Sequence, residues 1–79
     1  MTLKEATDSF YFYEMHKCAP GSFIRAVLEN DLYEAINRAD LDSLKNLADI
    51  TRYVYNNVPS GICGCKENVK KHLESKQNL

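Results

Sequence analysis

The chain has 79 residues, a formal net charge of −1 and a hydrophobic fraction of 44%, with three Gly and two Pro. This length supports one domain with one core and excludes a second. Ten Lys and Arg against eleven Asp and Glu leave none of the basic excess that drives phosphate binding, so direct nucleic-acid binding is not expected. No apolar run approaches the roughly 20 residues of a membrane-spanning helix. The first residues lack the hydrophobic core of a signal peptide, which predicts a cytoplasmic protein without a membrane partner.

The first predicted helix covers residues 3–17 and carries an unusual aromatic run. Thr2 and Glu5 have the spacing of a capping box, which marks the helix start. Apolar residues then recur every three or four positions on one face. Four consecutive aromatic residues cannot all face one core, so Tyr11 and Phe12 are predicted to lie off the core face. A strand over this run is the alternative on propensity, but helix is favoured because the flanking period fits and no partner strand is found.

The rest of the chain divides at four breaks, where Pro, Gly and helix-capping residues cluster. They are Pro20-Gly21, Asn30-Asp31, Ala39-Asp40 and the segment from Pro59 to Gly64. At the second break, one continuous helix is the alternative. The Asn-Asp pair, with Glu34 three residues after Asp31, favours a helix end followed by a new N-cap. Asn30 and Asp31 are therefore predicted to form a structural corner.

Apolar side chains at helical spacing mark an inner face on each later segment. They are Phe23, Ile24, Val27 and Leu28 in the second helix, Leu32, Ala35, Ile36 and Ala39 in the third, and Val69 and Leu73 in the last. The strongest predicted helix runs from Leu41 to Val58, with Leu44, Leu47, Val54 and Tyr55 among its apolar face and Lys45 and Arg52 on the opposite one. Ser22, Asp40 and Cys65 stand where N-caps are expected.

These patterns together predict an all-α protein, a compact bundle of about five short helices in a single domain. The bundle divides into an aromatic N-terminal helix at residues 3–17, a motif-bearing body at 20–73 and a frayed tail at 74–79.

Two histidines and three cysteines have the donor chemistry of a zinc site: His16, Cys18, Cys63, Cys65 and His72. Thiolate and imidazole suit tetrahedral zinc, which would stabilise a domain this small. Neither cysteine segment has the usual Cys-x₂₋₄-Cys spacing, however, and an odd number of cysteines does not form a disulfide framework. Buried thiols at Cys18 and Cys63, with Cys65 as a weak cap, are the preferred interpretation, so no metal or cofactor is expected.

Catalytic constellations are not apparent in the sequence. Cys63 or Cys65 with His72 forms a possible nucleophile–base pair, but in a regular last helix His72 points away from the loop. A Gly-rich phosphate loop, a Gly-x-Ser-x-Gly elbow and a His-Glu-x-x-His motif are all missing. The protein is therefore predicted not to be an enzyme.

Tyrosine is abundant, with five residues in 79 and no Trp. Tyrosine is enriched at protein interfaces because its ring is apolar and its hydroxyl tolerates water. We predict a partner-binding surface made of Tyr11 and Phe12 from the first helix and Tyr53, Arg52 and Lys45 from the fourth. The alternative is that helices pack on both sides of the first one and bury these rings. A thin core and spare aromatic rings also make a homo-oligomer an expectation.

One spaced set of motifs resembles a known group of proteins. It comprises Pro20-Gly21-Ser22-Phe23, the run from Ala26 to Leu32 with Glu34-Ala35, Ala39-Asp40, and Tyr53-x-Tyr55-Asn56 followed by Pro59 and Gly64. The set resembles small helical proteins encoded by phages, prophages and other mobile elements, and the resemblance covers residues 20–73. In that pattern a Ser usually follows the last glycine, where Cys65 stands here. The first helix lies outside the shared region and is expected to adapt this chain to its own partner.

The resemblance implies an accessory protein that acts in the cytoplasm of the host cell. Many such proteins are stoichiometric inhibitors of host defence, anti-CRISPR proteins among them, so a host defence complex is the expected partner. One alternative is a small nucleic-acid-associated regulatory protein that uses Lys66, Lys70 and Lys71. The other is an oligomeric sponge for a signalling nucleotide.

Overall fold

Six α-helices and one 3₁₀-helix follow one another along residues 1–75, the part of the chain that the structure, a computed structural model, describes. They are α1 (Leu3–His16), α2 (Ser22–Leu28), α3 (Leu32–Arg38), α4 (Leu41–Lys45), α5 (Leu47–Asn57), the 3₁₀-helix Ser60–Ile62 and α6 (Lys66–Glu74). No β-strand occurs within the described residues. The radius of gyration of 11.7 Å agrees with the roughly 12 Å expected for a compact chain of this length. The predicted all-α fold is confirmed.

Both ends of α1 are closed by local hydrogen bonds. The Glu5 N–H donates to the Thr2 hydroxyl at 3.2 Å, and the Thr2 N–H donates to the Glu5 carboxylate at 2.9 Å, which completes a capping box. At the other end Lys17 adopts the left-handed conformation, with φ 54°. Two backbone N–H groups there donate to the carbonyls of Phe12 and Tyr13. The predicted helix and the observed one therefore differ by one residue.

The corner between α2 and α3 is a Schellman motif followed directly by an N-cap. Asn30 has φ 58° and its N–H donates to the Val27 carbonyl at 3.1 Å. The Asp31 N–H donates to the Ala26 carbonyl at 2.9 Å, so two carbonyls at the end of α2 are satisfied. The Asp31 carboxylate then accepts from the Glu34 N–H at 3.2 Å and starts α3. Since Asn tolerates the left-handed region better than most residues, this pair turns the chain sharply.

The core is organised around the inner face of α1. Ala6, Phe10 and Tyr13 are buried there and pack against buried residues of α2, α5 and α6. The Tyr13 hydroxyl donates to the Ile62 carbonyl at 2.6 Å. The His72 ring lies 4.6 Å from the Tyr13 ring, with Nε2 2.7 Å from the Tyr13 carbonyl oxygen. One tyrosine thus joins α1 to the 3₁₀-helix and to α6.

The long fourth helix of the prediction is interrupted at Asn46, so six helices are observed where about five were expected. Asn46 has φ −101° and ψ 5°, which lies outside the helical region. Its side-chain amide donates to the Asp42 carbonyl at 2.9 Å. A short polar side chain that bonds the preceding turn competes with regular helix geometry, and the chain divides here into α4 and α5.

Several apolar residues predicted to face inward are exposed, which corrects the predicted inner faces of the third and fourth helices. They are Leu32 and Ile36 on α3 and Leu41 and Leu44 on α4. The reason is that α3 packs chiefly on α2 and buries Ala35, while α4 packs on α5 and buries Ser43. The inner face of α5 contains Val54, as predicted, together with Ile50, and Val58 lies just beyond the end of the helix.

Smaller differences concern caps and the tail. Gly21, not Ser22, occupies the N-cap of α2, and Cys65 stands at the N-cap of α6 without a side-chain capping bond. Of the predicted frayed tail, Glu74 is the last residue of α6, while residues 76–79 lie outside the described residues. No helix among residues 1–75 is long and apolar enough to cross a bilayer.

Candidate functional site

The outer side of α1 carries a cluster of exposed rings. Tyr11, Phe12 and Met15 are 54%, 51% and 59% exposed, because the helical period that buries Phe10 and Tyr13 turns these residues toward solvent. The Tyr11 and Phe12 rings meet edge to face at 5.6 Å, and each lies 5.8 Å from the His16 ring. We refer to Tyr11, Phe12, Met15 and His16 as the α1 aromatic surface.

A groove of about 280 Å³ adjoins this surface where the chain turns from α1 into α2. It is lined by Ser9, Phe12, Cys18, Ala19, Pro20 and Gly21. Apart from Phe12 the lining residues are small, so the depression remains open beside the aromatic ring.

Tyr53, predicted to belong to the binding surface, has a different role in the structure. Its ring stacks on the Phe10 ring, with centroids 5.7 Å apart and an interplanar angle of 13°. The side chain is half-buried and packs against the core. The prediction that Tyr53 lies off the core face is therefore wrong, since α5 crosses α1 at this point and Tyr53 holds the two helices together.

The two predicted cationic residues are exposed and lie on other helices than the ring cluster. Arg52 lies on α5, with Nη1 3.9 Å from the Asp49 carboxylate, and Lys45 ends α4. Neither forms a hydrogen bond or ion pair with the α1 aromatic surface within residues 1–75. Of the predicted binding residues, the structure thus brings together Tyr11 and Phe12.

The histidines and cysteines considered for zinc are dispersed. Within the described part of the chain, no three His, Cys, Asp or Glu side chains come close enough to hold a metal ion. Cys63 is buried, its thiol lies 3.4 Å from the Pro59 carbonyl oxygen, and burial raises its pKa. Cys18 and Cys65 are exposed, so the prediction of a buried thiol at Cys18 is wrong. Of the two histidines, His16 lies 5.8 Å from the Tyr11 and Phe12 rings, and His72 packs on Tyr13.

A second exposed apolar region was missed by sequence reasoning, which placed its residues in the core. Two adjoining cavities share Val27, Asn30 and Thr51 and together form one groove along α5, bounded by α3 at one end and by Cys63 and Gly64 at the other. Its first wall contains Leu32 and Ala35, and its second wall contains Leu47, Thr51 and Tyr55. The wider cavity has a volume of about 210 Å³. We refer to this feature as the α3–α5 groove.

The groove leaves a weak signal in the sequence. Two breaks enclose α3 within seven residues, which is about two turns. A helix this short packs fully against one neighbour, here α2, and the apolar residues on its other side stay uncovered.

Comparisons with models of protein families, with curated proteins and with solved structures found no match. The chemistry available to the α1 aromatic surface therefore follows from its own groups. Two aromatic rings, a thioether and an imidazole provide apolar contact, stacking and hydrogen bonding.

Proposed function

We propose that the protein is a non-enzymatic binding protein that inhibits a host defence complex through the α1 aromatic surface. The observation that carries the proposal is the exposure of Tyr11, Phe12 and Met15 together on one helix. Aromatic residues and Met are enriched at the centres of protein interfaces. Packing within a single domain does not require three such side chains to be exposed side by side. An exposed apolar patch of this kind commonly marks a site of protein contact.

The geometry of the rings favours tight binding by this surface. Because Tyr11, Phe12 and His16 pack on one another, their rotamers are already restricted before a partner arrives. Binding then costs less side-chain entropy than it does for isolated rings. Met15, an unbranched and polarisable side chain, can adjust to the shape of the partner at the edge of this ordered cluster.

The choice of a defence complex as the partner rests on the resemblance of residues 20–73 to small proteins of phages and mobile elements. The α1 aromatic surface lies outside that shared segment, as expected for the part that selects a partner. The alternative of a nucleic-acid-associated regulator receives less support, because Lys71 is paired with Glu67 at 3.0 Å. That pair removes one positive charge from the basic group formed with Lys66 and Lys70.

The test is co-purification from a host that expresses its defence systems, together with an assay of defence activity. We expect the wild-type chain to recover a defence subunit in stoichiometric amounts and to lower defence activity. The Tyr11→Ser/Phe12→Ser variant should weaken this binding by at least about tenfold, the usual effect of removing central aromatic contacts. Tyr33→Ser is the matched control, since Tyr33 is 87% exposed and lies on α3, outside the helix that carries the α1 aromatic surface.

Two outcomes would contradict the proposal. The first is equal recovery by the wild-type chain and the Tyr11→Ser/Phe12→Ser variant. The second is recovery of DNA or RNA instead of protein, with binding that is salt-sensitive and lost when Lys66, Lys70 and Lys71 are replaced. Thermal shift with cyclic nucleotides tests the hypothesis of a nucleotide sponge. A rise in melting temperature would support that hypothesis, because a ligand that binds the folded state stabilises it.

A further inference from the structure

From the loop between the 3₁₀-helix and α6 we infer that Cys63 and Cys65 form a reversible disulfide when the protein is exposed to hydrogen peroxide. A single residue, Gly64, separates the two thiols. Cys63 is buried at the edge of the core, and Cys65 is exposed at the N-cap of α6. The loop therefore exposes one thiol to a soluble oxidant and holds a second thiol beside it.

The backbone keeps the two cysteines within the range of a disulfide. Consecutive Cα atoms are about 3.8 Å apart, so residues i and i+2 are separated by at most roughly 7 Å. A disulfide requires a Cα separation of about 4.4–6.8 Å. The chain bends at each of Cys63, Gly64 and Cys65, and a bend shortens the separation below its extended value. The bond can therefore form without the movement of a distant part of the chain.

Gly64 is the hinge about which the two side chains can approach each other. Its φ of 93° lies in the region that glycine adopts without strain. A Cβ atom at this position would meet nothing within 4 Å, so the space around the residue is open. The Gly64 N–H donates to the Leu28 carbonyl at 2.7 Å, which anchors the side of the hinge that carries Cys63. Rotation beyond that bond moves Cys65 and leaves the contact with α2 in place.

The surroundings of Cys63 suit a thiol that reacts second. Burial raises the pKa of Cys63, and the negative charge of Cys65 raises it further, so the two sulfur atoms are close enough to interact electrostatically. A protonated thiol is a poor nucleophile, so Cys63 does not start the reaction. Cys63 also lines the end of the α3–α5 groove. The cavity of about 210 Å³ there gives its thiol room to leave the Pro59 carbonyl oxygen, which lies 3.4 Å away.

The reaction proceeds in two balanced steps. The Cys65 thiolate attacks one oxygen of hydrogen peroxide: an S–O bond forms, the O–O bond breaks, and the released hydroxide takes up the thiol proton and leaves as water. The Cys63 sulfur then attacks the sulfenic acid of Cys65: the S–S bond forms, the S–O bond breaks, and the hydroxyl leaves as water with the proton of Cys63. Both sulfur atoms are oxidised and the peroxide is reduced. A dithiol reductant reverses the change by thiol–disulfide exchange.

Peptide mapping of the full chain after treatment with hydrogen peroxide tests the inference. Trypsin releases residues 53–66 with both Cys63 and Cys65, and residues 18–25 with Cys18 alone. We expect the first peptide to lose the mass of two hydrogen atoms and to resist alkylation, because both of its thiols are in the disulfide. Treatment with dithiothreitol should restore both alkylation sites.

Two variants separate the roles of the thiols. Cys65→Ser should slow the oxidation of Cys63 by at least about tenfold, because the remaining thiol is buried and protonated. In Cys63→Ala the sulfenic acid of Cys65 should persist and be trapped by dimedone, since the thiol that captures it is missing. Cys65 is exposed and forms no side-chain capping bond, so Cys65→Ser is expected to fold even if Cys63→Ala does not. Circular dichroism checks both.

Cys18→Ser is the matched control, because it removes the other exposed thiol and should form the disulfide to the same extent as the wild type. A disulfide that disappears in this variant overturns the inference, since the bond then involves Cys18. So does oxidation of Cys65 to the sulfinic acid while Cys63 stays a free thiol, and so do two unreacted thiols on residues 53–66 in millimolar peroxide. None of these results bears on the α1 aromatic surface, which contains no cysteine and is tested separately by co-purification with the Tyr11→Ser/Phe12→Ser variant.

Discussion

The hydroxyl of Tyr13 joins α1 to the 3₁₀-helix, and its removal should be measurable. In Tyr13→Phe the hydrogen bond of 2.6 Å to the Ile62 carbonyl is lost while the buried ring keeps its packing. Losing such a bond and leaving its carbonyl partner unsatisfied costs about 1–2 kcal/mol. Each kcal/mol lowers the melting temperature of a domain of this size by about 4–8 °C. We therefore expect a fall of roughly 5–15 °C in a thermal unfolding scan.

Ionisation of the same hydroxyl is expected to lower the stability of the protein at alkaline pH. Burial raises the pKa of Tyr13 from 10.0 to about 12, so the folded state favours the neutral phenol more than the unfolded state does. The resulting stabilisation is complete below pH 10 and is lost as the pH rises from about 10 to about 12. Tyr13→Phe has no such group, so the stability advantage of the wild-type chain should narrow over this range. The other titrating groups occur in both proteins and cancel in the difference.

Urea unfolding curves of the two proteins between pH 8 and the alkaline limit of folding measure both effects. Tyr55→Phe is the matched control: Tyr55 is exposed, and losing its hydroxyl should change stability by less than about 0.5 kcal/mol. A Tyr13→Phe protein with wild-type stability and a constant difference across the alkaline range would refute the assigned role of the hydroxyl.

Two further predictions concern the helix ends. Lys17→Gly should raise the free energy of unfolding by about 0.5–1 kcal/mol in urea titrations, because Lys17 holds a left-handed conformation at φ 54° that Gly adopts without strain. Asn30→Gly, at φ 58°, should gain less, since Asn already tolerates this region; an equal gain at both positions would contradict the reasoning. Asp40 caps α4, and hydrogen bonds from the backbone and side chain of Ser43 lower its pKa from 3.8 to about 2. The stability from this carboxylate is present above pH 4 and is lost as the pH falls toward 2, which circular dichroism can follow. Asp40→Asn keeps a capping side chain without the charge and should show a shallower acid transition; identical acid transitions would exclude the role assigned to Asp40.

The helix boundaries could largely be predicted from the sequence because local chemistry sets them. Thr2, Asp31 and Asp40 each cap a helix through a side-chain oxygen and a backbone N–H three residues later. The corner at Asn30 likewise depends on hydrogen bonds within a few residues. Such interactions form between near neighbours in the chain, so the pattern of residue types reveals them. The break at Asn46 escaped prediction because the apolar period of the predicted helix passes through it without interruption.

The candidate surfaces were less accessible to prediction. Tyr11 and Phe12 were expected outside the core because four consecutive rings exceed what one helix face can bury. Tyr53 has the same local signal of an off-face ring, yet it stacks on Phe10. The difference arises from the crossing of α1 and α5, which brings a second helix over Tyr53 and leaves the outer side of α1 uncovered.

The sequence by itself therefore determined that the protein is all-α and where most of its helices begin and end, the break at Asn46 excepted. The tertiary structure decided which apolar faces are covered. Leu32 and Leu41 have the spacing of core residues, but α3 packs chiefly on α2 and α4 packs on α5, so both side chains stay exposed. Amphipathic spacing shows that a face can be buried, whereas burial requires another helix to lie against it, and that arrangement depends on contacts between residues distant in the chain.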